Sequence, residues 1–397
     1  MYPRTPLESI RLFHDELTAI RRDLHAHPEL GFEEVRTSGI VAGGLEALGI
    51  EVHRGIGKTG VVGVIRGKNC DSGRMIGLRA DMDALPMTED NSFGHRSTKQ
   101  GLMHGCGHDG HTTMLLGAAR YLAQTRNFDG TAVLIFQPAE EGRGGAKAML
   151  EDGLFDTFPC DAIYALHNWP GLPPNSVGIN PGPMMAAADR FEITINGRGG
   201  HGAHPYQTID PVVVAGHLIT ALQTIVSRNV NPLDSAVLSI GSMQAGNPGA
   251  MSVIPREAKL VGTARTFRKT VQEMLEKRMR ELATSIAGAF GATAEVQYER
   301  IYPATLNTPQ HANLVADIAT EMIGKENVVR DLVPSMGSED FSFMLQARPG
   351  AYFRLGQGGA ESGCTLHNSH FDFNDAVIPL GSAMFCALAE RGMPLSQ

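Results

Sequence analysis

Short apolar segments alternate with amphipathic helical patterns through the first 186 residues. Four segments rich in β-branched and aliphatic residues predict strands: "VVGVI" (61–65), "MIGLRA" (75–80), "TAVLIFQ" (131–137) and "AIYALH" (162–167). Between the second and third, "TTMLLGAARYLAQ" repeats apolar residues at helical spacing. Residues 9 to 49 also predict helices, interrupted by Pro28 and Gly31. This alternation predicts an α/β fold in which a mixed, largely parallel sheet is flanked by helices.

The pattern changes near Ala187. "RFEITINGRG" alternates apolar and polar residues, as a half-buried strand does, and a helix is predicted from about Asp210 to Arg228. Two strands, "AVLSIGSMQ" and "AKLVGTARTF", precede a second helix, for which Thr270 and Glu273 have the spacing of a capping box. With a last strand, "TAEVQYERIY", the order is that of a ferredoxin-like α+β unit. We therefore predict an inserted domain at 187–302 within a catalytic domain formed by 1–186 and 303–397.

Composition narrows the class of protein. A chain of 397 residues is long enough for two domains, and its net charge of -8 without a basic tract argues against nucleic acid or an anionic membrane as partner. The five cysteines are scattered and odd in number, which indicates a reducing compartment rather than a disulfide framework. No signal-peptide core and no run of membrane-spanning length is apparent. A cytoplasmic protein is the expectation.

Polar side chains follow the predicted strands at the point where each strand ends. In open α/β sheets, ligands bind outside the carboxyl ends of the parallel strands. Here those positions, together with the loop "CGHDGH" that leads into a helix, hold carboxylates, a thiol and imidazoles: Asp81, Asp83, Cys106, His108, Glu140, Glu141 and His167. If the strands are parallel neighbours, these groups converge on one rim of the sheet.

The mixture of donors favours a transition-metal site. Thiolate, imidazole and carboxylate together suit zinc or a similar divalent ion, and Cys106 and His108, one residue apart, would both reach it only from a non-helical loop. The adjacent glutamates of "AEEG" offer one metal ligand and one base, which can take a proton from a water whose pKa a metal ion has lowered to about 7. A catalytic cysteine nucleophile, a metal-storage site and a polar structural loop remain as alternatives.

Eight motifs between residues 21 and 375 carry a family resemblance, in this order: "RRDLHAHPELGFEE", "GLRADMDALP", "MHGCGHDGHT", "FQPAEEGRGGAKAM", "GRGGHGAHP", "VIPREAKLVGTARTF", "MGSEDFSF" and "LHNSHFDFND". With these motifs the chain resembles the dinuclear-metal amidohydrolases of the aminoacylase and carboxypeptidase-G-like metallopeptidase family. Within that family it is most similar to the hippurate hydrolases and auxin-conjugate hydrolases.

The resemblance implies a role for each matching residue. Two divalent ions per subunit, zinc or manganese with cobalt or nickel as other choices, would be held by Cys106 (bridging), His108, Glu141, His167 and His367. Glu140 matches the general base, and Asp83 matches a residue that supports a ligand. His104 and His111 match no ligand and are expected in loop packing and hydrogen bonding. Asp81 has no assigned role, and Glu339 and Asp340 are candidates either for the site or for helix capping.

The inserted domain resembles the family's lid, which also carries the dimer contact. His201 matches a histidine that reaches the partner subunit's active site and stabilises the oxyanion. Arg265 matches the guanidinium that binds the substrate carboxylate. Ser252 stands where the family commonly has asparagine in the same carboxylate region, a departure that indicates altered specificity.

The resemblance implies a metal-dependent hydrolase that cleaves N-acyl amino acids to a carboxylic acid and a free amino acid. A hippurate-like substrate is the leading expectation, a short N-acetyl amino acid the second and a dipeptide the third. A non-catalytic metal-binding protein is the alternative from another class. The pairing of Glu140 with Glu141 argues against that alternative, because a storage site needs no base.

Overall fold

The structure, a computed structural model, describes residues 5–395. The helices are α1 Pro6–Arg11, α2 His14–Ala26, α3 Val35–Ala47, α4 His108–Thr125, α5 Glu140–Arg143, α6 Gly145–Glu151, α7 Leu154–Thr157, α8 Pro211–Thr224, α9 Lys269–Ala289, α10 Pro309–Ile323, α11 Phe341–Ala347 and α12 Ile378–Gly392. The strands are β1 Glu51–Ile56, β2 Gly60–Arg66, β3 Met75–Asp81, β4 Thr131–Gln137, β5 Ala162–Trp169, β6 Val177–Gly178, β7 Gly182–Met185, β8 Ala187–Asn196, β9 Gly200–His201, β10 Ala236–Ala245, β11 Val253–Ile254, β12 Glu257–Thr266, β13 Thr293–Tyr302, β14 Thr305–Asn307, β15 Val328–Val329 and β16 Gly350–Gly356.

The described chain divides into two compact units. The first comprises the described residues up to Met184, Leu306–Val333 and the described residues from Asp340 onward, and the second comprises Met185–Thr305 with Pro334–Glu339. The sequence predicted an inserted domain at 187–302. It did not predict that Pro334–Glu339, a short segment about 30 residues further along the chain, belongs to the same unit.

The first unit contains a mixed sheet with strand order β1-β2-β4-β3-β5-β16-β6-β15. Its centre is parallel, because β3 pairs in parallel with both β4 and β5, and β5 pairs in parallel with β16. The predicted fold class is therefore confirmed. The sequence missed β1, an edge strand that pairs antiparallel with β2; none of its six residues is buried, and they give no continuous apolar pattern.

Helices cover both faces of the central strands, which explains why these strands read as continuous apolar runs. Successive side chains of a strand point to opposite faces. In β4, Ala132, Leu134 and Phe136 belong to the main core with residues of α4 and α12, whereas Val133 and Ile135 are equally buried but point the other way. The sheet is thus a rigid layer whose strand ends hold fixed positions.

The second unit is built on an antiparallel sheet with order β10-β12-β8-β13. Phe191, Ile193 and Ile195 of β8 are fully buried against α8 and α9, as the alternating pattern predicts. The chain order β8-α8-β10-β12-α9-β13 is the ferredoxin-like arrangement that the sequence predicts.

Two local predictions about this unit are wrong. Thr270 does not cap α9, because the helix begins at Lys269 and Arg268 takes the extended N-cap conformation without a side-chain cap bond. Contrary to the expectation from sequence, the helical segment Pro211–Asn229 is long and apolar enough, by length and composition, to cross a membrane. Its buried residues, Val214 and Leu218 among them, pack in the core of the second unit.

Candidate active site

The carboxyl ends of three neighbouring parallel strands bring the predicted residues together in the first unit. Asp81 is the last residue of β3, His167 lies in β5, and the turn after β4 carries Glu140 and Glu141. Because β3 lies between β4 and β5 in the sheet, these positions share one edge. The convergence that the sequence predicts at this rim is found in the structure.

The segment that carries Cys106 and His108 changes from loop to helix between the two residues. His108 is the first residue of α4, so the expectation that both side chains project from a non-helical loop is wrong for His108. Gly107 makes the change of direction at φ 95°, a conformation that favours glycine. A Cβ atom at Gly107 would lie 2.4 Å from Asn168 Oδ1, so close approach to β5 also requires glycine here.

His367 reaches the same edge from a distant loop. Its backbone is left-handed, with φ 59°, and its N–H donates to the carbonyl of Gly105 at 2.8 Å, which ties the two loops together. Its Nε2 atom lies 3.2 Å from Glu141 Oε1. The His367 side chain is 54% exposed, whereas the three donors Cys106, His108 and His167 are buried.

The donor atoms form overlapping groups that could each hold a metal ion. Within each group the ligand atoms lie within 4.8 Å of one another, and three of the groups are Cys106–His108–His167, Cys106–Glu141–His367 and His108–Glu140–Glu141. Cys106 belongs to two of them, as a bridging ligand would. His108 Nε2 is buried and has no hydrogen-bond partner among residues 5–395, although Asp81 Oδ2 lies 3.7 Å away, so a cation would give this nitrogen a direct partner. The residues therefore fit two divalent ions.

Hydrogen bonds orient these donors. Asp83 uses both oxygens: Oδ1 lies 3.2 Å from His108 Nδ1, and Oδ2 accepts from the Glu141 backbone N–H at 2.9 Å. His167 Nδ1 lies 2.7 Å from the Asn168 carbonyl, which leaves Nε2 directed at Cys106 Sγ, 3.3 Å away. Partners of this kind fix the ring orientation and the tautomer of metal-binding histidines.

Asp81 and His111 form a pair behind the donors. His111 Nδ1 lies 2.6 Å from Asp81 Oδ1, and His111 Nε2 lies 2.6 Å from Asn168 Oδ1. Arg79 donates to Asp81 Oδ2 at 2.8 Å. Burial alone would raise the pKa of Asp81, but His108, Arg79 and His111 outweigh it and hold the pKa well below its usual range. Asp81 is thus a buried carboxylate that organises the imidazoles.

His104 differs from His111. Its side chain is buried, yet neither ring nitrogen has a hydrogen-bond partner among the described residues, so the predicted hydrogen-bonding role is wrong for His104. Burial lowers the pKa of His104 to about 4, and the ring is therefore neutral. It serves in packing, next to the His25 ring at a centroid distance of 6.3 Å.

The charges around Cys106 disfavour a cysteine nucleophile. Burial raises the pKa of the thiol well above its usual value, and Glu141, Glu140 and Asp81 raise it further. An activated thiolate needs positive charge nearby. Carboxylates, Asp81 and Asp83 first, outweigh the effect of burial and also raise the pKa of His108 to about 10, yet the pKa of the neighbouring thiol stays well above its usual value. The cluster is an acidic environment suited to cations.

Asp340 contacts the turn that carries the predicted base. Its backbone N–H donates to Glu140 Oε1 at 3.3 Å, and its Oδ2 accepts from the Ala146 N–H at 2.9 Å. Its Oδ1 accepts from Gln137 at 2.8 Å and from Arg79 at 3.1 Å. The side chain makes no cap bond to α11, which follows it, so of the two roles left open by the sequence Asp340 takes the one near the site.

Glu339, the other candidate of this motif, is buried, and its carbonyl accepts from Thr305 Oγ1 at 3.4 Å.

A buried charge network behind the site was not predicted. Arg21, fully buried in α2, donates to Asp375 at 2.6 Å and to Asp372 at 2.7 Å, and lies 3.6 Å from Asp109. His25 Nδ1 lies 2.8 Å from the same Asp109 oxygen. Asp109 directly follows one predicted metal ligand, and Asp372 lies on the loop of another. In the sequence, Arg21 and His25 look like ordinary polar residues of an amphipathic helix, so the pattern gives no sign that they are buried.

The remaining predicted residues lie in the second unit. His201 ends β9, and its Nδ1 accepts from the Ala203 N–H at 3.0 Å. The carbonyl of Ser252 accepts from the Gly202 N–H at 2.7 Å, so Ser252 lies beside the β9 turn. Arg265, in β12, is partly buried and donates to Ser338 Oγ at 3.3 Å. His201 and Ser252 are thus brought together within this unit.

Comparison with known proteins agrees with this site. Residues 77–391 match the model of peptidase family M20/M25/M40, and the chain belongs to that family. It is similar to the hippurate hydrolase of Campylobacter jejuni subsp. jejuni, with 42% identity over 94% of this chain and 96% of that protein. It is also similar to the N-acetylcysteine deacetylase of Bacillus subtilis, with 39% identity over 96% of this chain and 97% of that protein.

A solved structure shows the same fold. The YXEP protein of Bacillus subtilis, a dinuclear metal binding peptidase from the M20 family, has a TM-score of 0.83 and 36% identity, covering 96% of this chain and 98% of that one. The family resemblance inferred from the motifs is therefore confirmed, as is the class of metal-dependent amide hydrolase.

Proposed function

We propose that the protein hydrolyses the amide bond of N-acyl amino acids with two divalent metal ions and Glu140 as general base. The observation that carries this proposal is that two donor groups at the sheet edge, Cys106–His108–His167 and Cys106–Glu141–His367, share Cys106, with Glu140 adjacent in sequence to the donor Glu141. A site for metal storage would have no use for a buried carboxylate beside its ligands. The activities of the relatives support the substrate class.

In this proposal two divalent ions would be held by Cys106, His108, Glu141, His167 and His367, and Cys106 belongs to two of the donor groups. When bound, divalent ions of this kind polarise the scissile carbonyl and lower the pKa of water. Zinc and manganese suit the mixed donor set best, with cobalt and nickel as further choices. Asp83 and the Asn168 carbonyl keep His108 and His167 in the orientation that binding requires.

Glu140 carries the proton through the reaction. Its carboxylate takes a proton from the attacking water as the new C–O bond forms, and returns it to the amide nitrogen as the C–N bond breaks. The products are a carboxylic acid and a free amino acid, so atoms and charge balance without another reactant. The Asp340 N–H, which donates to Glu140 Oε1, holds this carboxylate at the edge of the sheet.

The second unit would recognise the substrate. Arg265 offers a forked guanidinium for the amino-acid carboxylate, with Ser252 beside the same region, and His201 would stabilise the oxyanion in the partner subunit of a homodimer. The exposed Val212 and Val213 of α8, and the exposed edge strand β10, support such a dimer contact. Because Ser252 is shorter than the usual asparagine, we expect a carboxylate grip that differs from that of most relatives.

A hippurate-like substrate is the leading choice, since a hippurate hydrolase is 42% identical over most of its length. A short N-acetyl amino acid is the second choice, supported by the N-acetylcysteine deacetylase. Dipeptides are the third. We place the enzyme in the cytoplasm, where five unpaired cysteines are stable.

The test is a hydrolysis assay on a panel of N-benzoyl, N-acetyl and dipeptide substrates, with the protein reconstituted in turn with zinc, manganese, cobalt and nickel. We expect the largest kcat/KM for an N-benzoyl amino acid. Higher kcat/KM for dipeptides would move the function to an exopeptidase. Metal binding without hydrolysis of any member of the panel would contradict the proposal.

A further inference from the structure

The segment Glu29–Glu34, between α2 and α3, packs on the turn that carries Glu140 and Glu141. The carbonyl of Gly31 accepts from Arg143 Nη1 at 2.8 Å. The carbonyl of Glu29 accepts from the Ala84 N–H at 2.8 Å, just after Asp83. One short segment therefore contacts the chain beyond both β3 and β4.

Glu34 makes the most direct contact from this segment. Its side chain is fully buried, and its Oε1 accepts from the backbone N–H of Ala139 at 2.8 Å. Its Oε2 accepts from the Thr59 hydroxyl at 2.6 Å, which fixes the carboxyl group from the other side. Both partners are neutral groups. Burial raises the pKa of Glu34 to about 7, so the site accommodates a neutral carboxyl.

Ala139 holds an unusual conformation directly before the proposed base. Its φ of 53° and ψ of 45° are left-handed, a region that residues with a Cβ rarely adopt. A Cβ atom on Gly31 would lie 2.8 Å from Ala139 Cα, so the segment fits closely against this residue. A buried backbone N–H needs a partner, and Glu34 supplies it.

The left-handed turn determines where the next two side chains point. After this left-handed residue, Glu140 Oε1 accepts from the Asp340 N–H, and the Glu141 N–H donates to Asp83 Oδ2. If Ala139 relaxed to an ordinary conformation, both carboxylates would change direction. Strain of this kind persists only where neighbouring groups enforce it.

We propose that Glu34 is a positioning residue for the general base, holding the Ala139 N–H so that the strained turn directs Glu140 at the reacting water. This inference rests on the proposed function, because it takes Glu140 as the base. The carboxyl group of Glu34 bonds to the Ala139 N–H and the Thr59 hydroxyl rather than to a proposed metal ligand. Its effect should therefore fall on kcat, with little change in KM or in metal content.

The chemistry of the contact provides a matched pair of variants. In Glu34→Gln the amide oxygen can accept from Ala139, while the amide nitrogen donates to the Thr59 hydroxyl, which is also an acceptor. Glu34→Met has a similar volume but no acceptor. The first variant preserves the contact and the second removes it, so their difference isolates the hydrogen bond from the packing.

The experiment measures kcat, KM and bound metal for the wild-type holoenzyme and both variants, on the N-acyl amino acid that the wild type hydrolyses best. Since a misplacement of about 1 Å can cost about a hundredfold in rate, we expect kcat of Glu34→Met to fall at least about tenfold. KM and metal content should stay within about twofold, and Glu34→Gln should keep kcat within about twofold of wild type.

Three results would overturn the inference: kcat retained in Glu34→Met, a loss in Glu34→Gln as large as in Glu34→Met, or a loss that follows metal content. If Glu34→Met does not fold, Gly31→Ala tests the same turn, because its methyl group would press on Ala139. That variant should also lose kcat and keep its metal, and unchanged kcat would contradict the inference. A wild-type protein inactive on every substrate would overturn the proposed function as well, whereas an active wild type with an active Glu34→Met overturns the role of Glu34 alone.

Discussion

The two units hold their candidate functional residues in different ways. In the first unit the donors Cys106, His108 and His167 are buried, and hydrogen bonds fix the imidazole rings before any ligand binds. In the second unit His201 is exposed and Arg265 is only partly buried. The difference indicates that the proposed metal ligands are enclosed and oriented within one unit, whereas the groups proposed for the substrate are more open to solvent.

Metal removal should have the largest effect on hydrolysis, and it tests the donors of the first unit without changing any residue of the second. Dialysis against a chelator should lower hydrolysis at least about a thousandfold, because both carbonyl polarisation and water activation are lost. Unfolding of the metal-free protein, followed by circular dichroism, should begin at a lower temperature, since ligand binding to the native state stabilises it.

Restoring a divalent ion is the control, and activity should return. Activity that survives complete removal of metal would instead favour the Cys106 nucleophile, which Cys106→Ser would then abolish.

His201→Ala should have the next largest effect. It changes a residue of the second unit and leaves the metal donors of the first unit in place. Loss of an oxyanion donor lowers kcat by about a hundredfold to a thousandfold, and the metal content should be unchanged. The matched control is His204→Ala, an exposed histidine whose ring lies 5.3 Å from that of His201. Equal activity in the two variants would contradict the role given to His201.

Asp83→Asn should have the smallest of these effects and should act on metal binding. The amide cannot accept from both the His108 ring and the Glu141 N–H, so metal affinity should weaken by about 10- to 100-fold. Competition with a coloured chelator measures this change. Asp90→Asn, at an exposed carboxylate after the same strand, provides the control. Unchanged affinity in Asp83→Asn would show that His108 needs no such support.

Local patterns in the sequence predicted the central sheet and the convergence of candidate metal donors at its edge, whereas His367 came from family resemblance alone. The strands β3, β4 and β5 are apolar runs with polar residues directly after them, and the topology of a parallel sheet then brings those residues together. The lid residues His201, Ser252 and Arg265 came from family resemblance alone. Their roles remain predictions, because no pattern in the chain distinguishes them from ordinary surface residues.

The parts that the sequence did not predict depend on contacts between distant segments. Glu34 meets Ala139 and Arg79 meets Asp340, pairs separated by 105 and 261 residues, and no periodicity reports such contacts. The failed capping box at Thr270 has a local cause: the extended residue before the helix is Arg268, so the predicted cap lies inside the first turn. Spacing alone does not fix where a helix begins.

The most direct test of a metal-dependent hydrolase with Glu140 as base is Glu140→Gln, measured for turnover and bound metal in the same preparation. We predict that kcat falls by about a hundredfold to ten-thousandfold while two ions per subunit remain, because the amide keeps the shape but cannot take a proton. Glu141→Gln is the matched control, and it should lose metal. Turnover close to wild type in Glu140→Gln, or loss of metal equal to that of Glu141→Gln, would contradict the assignment.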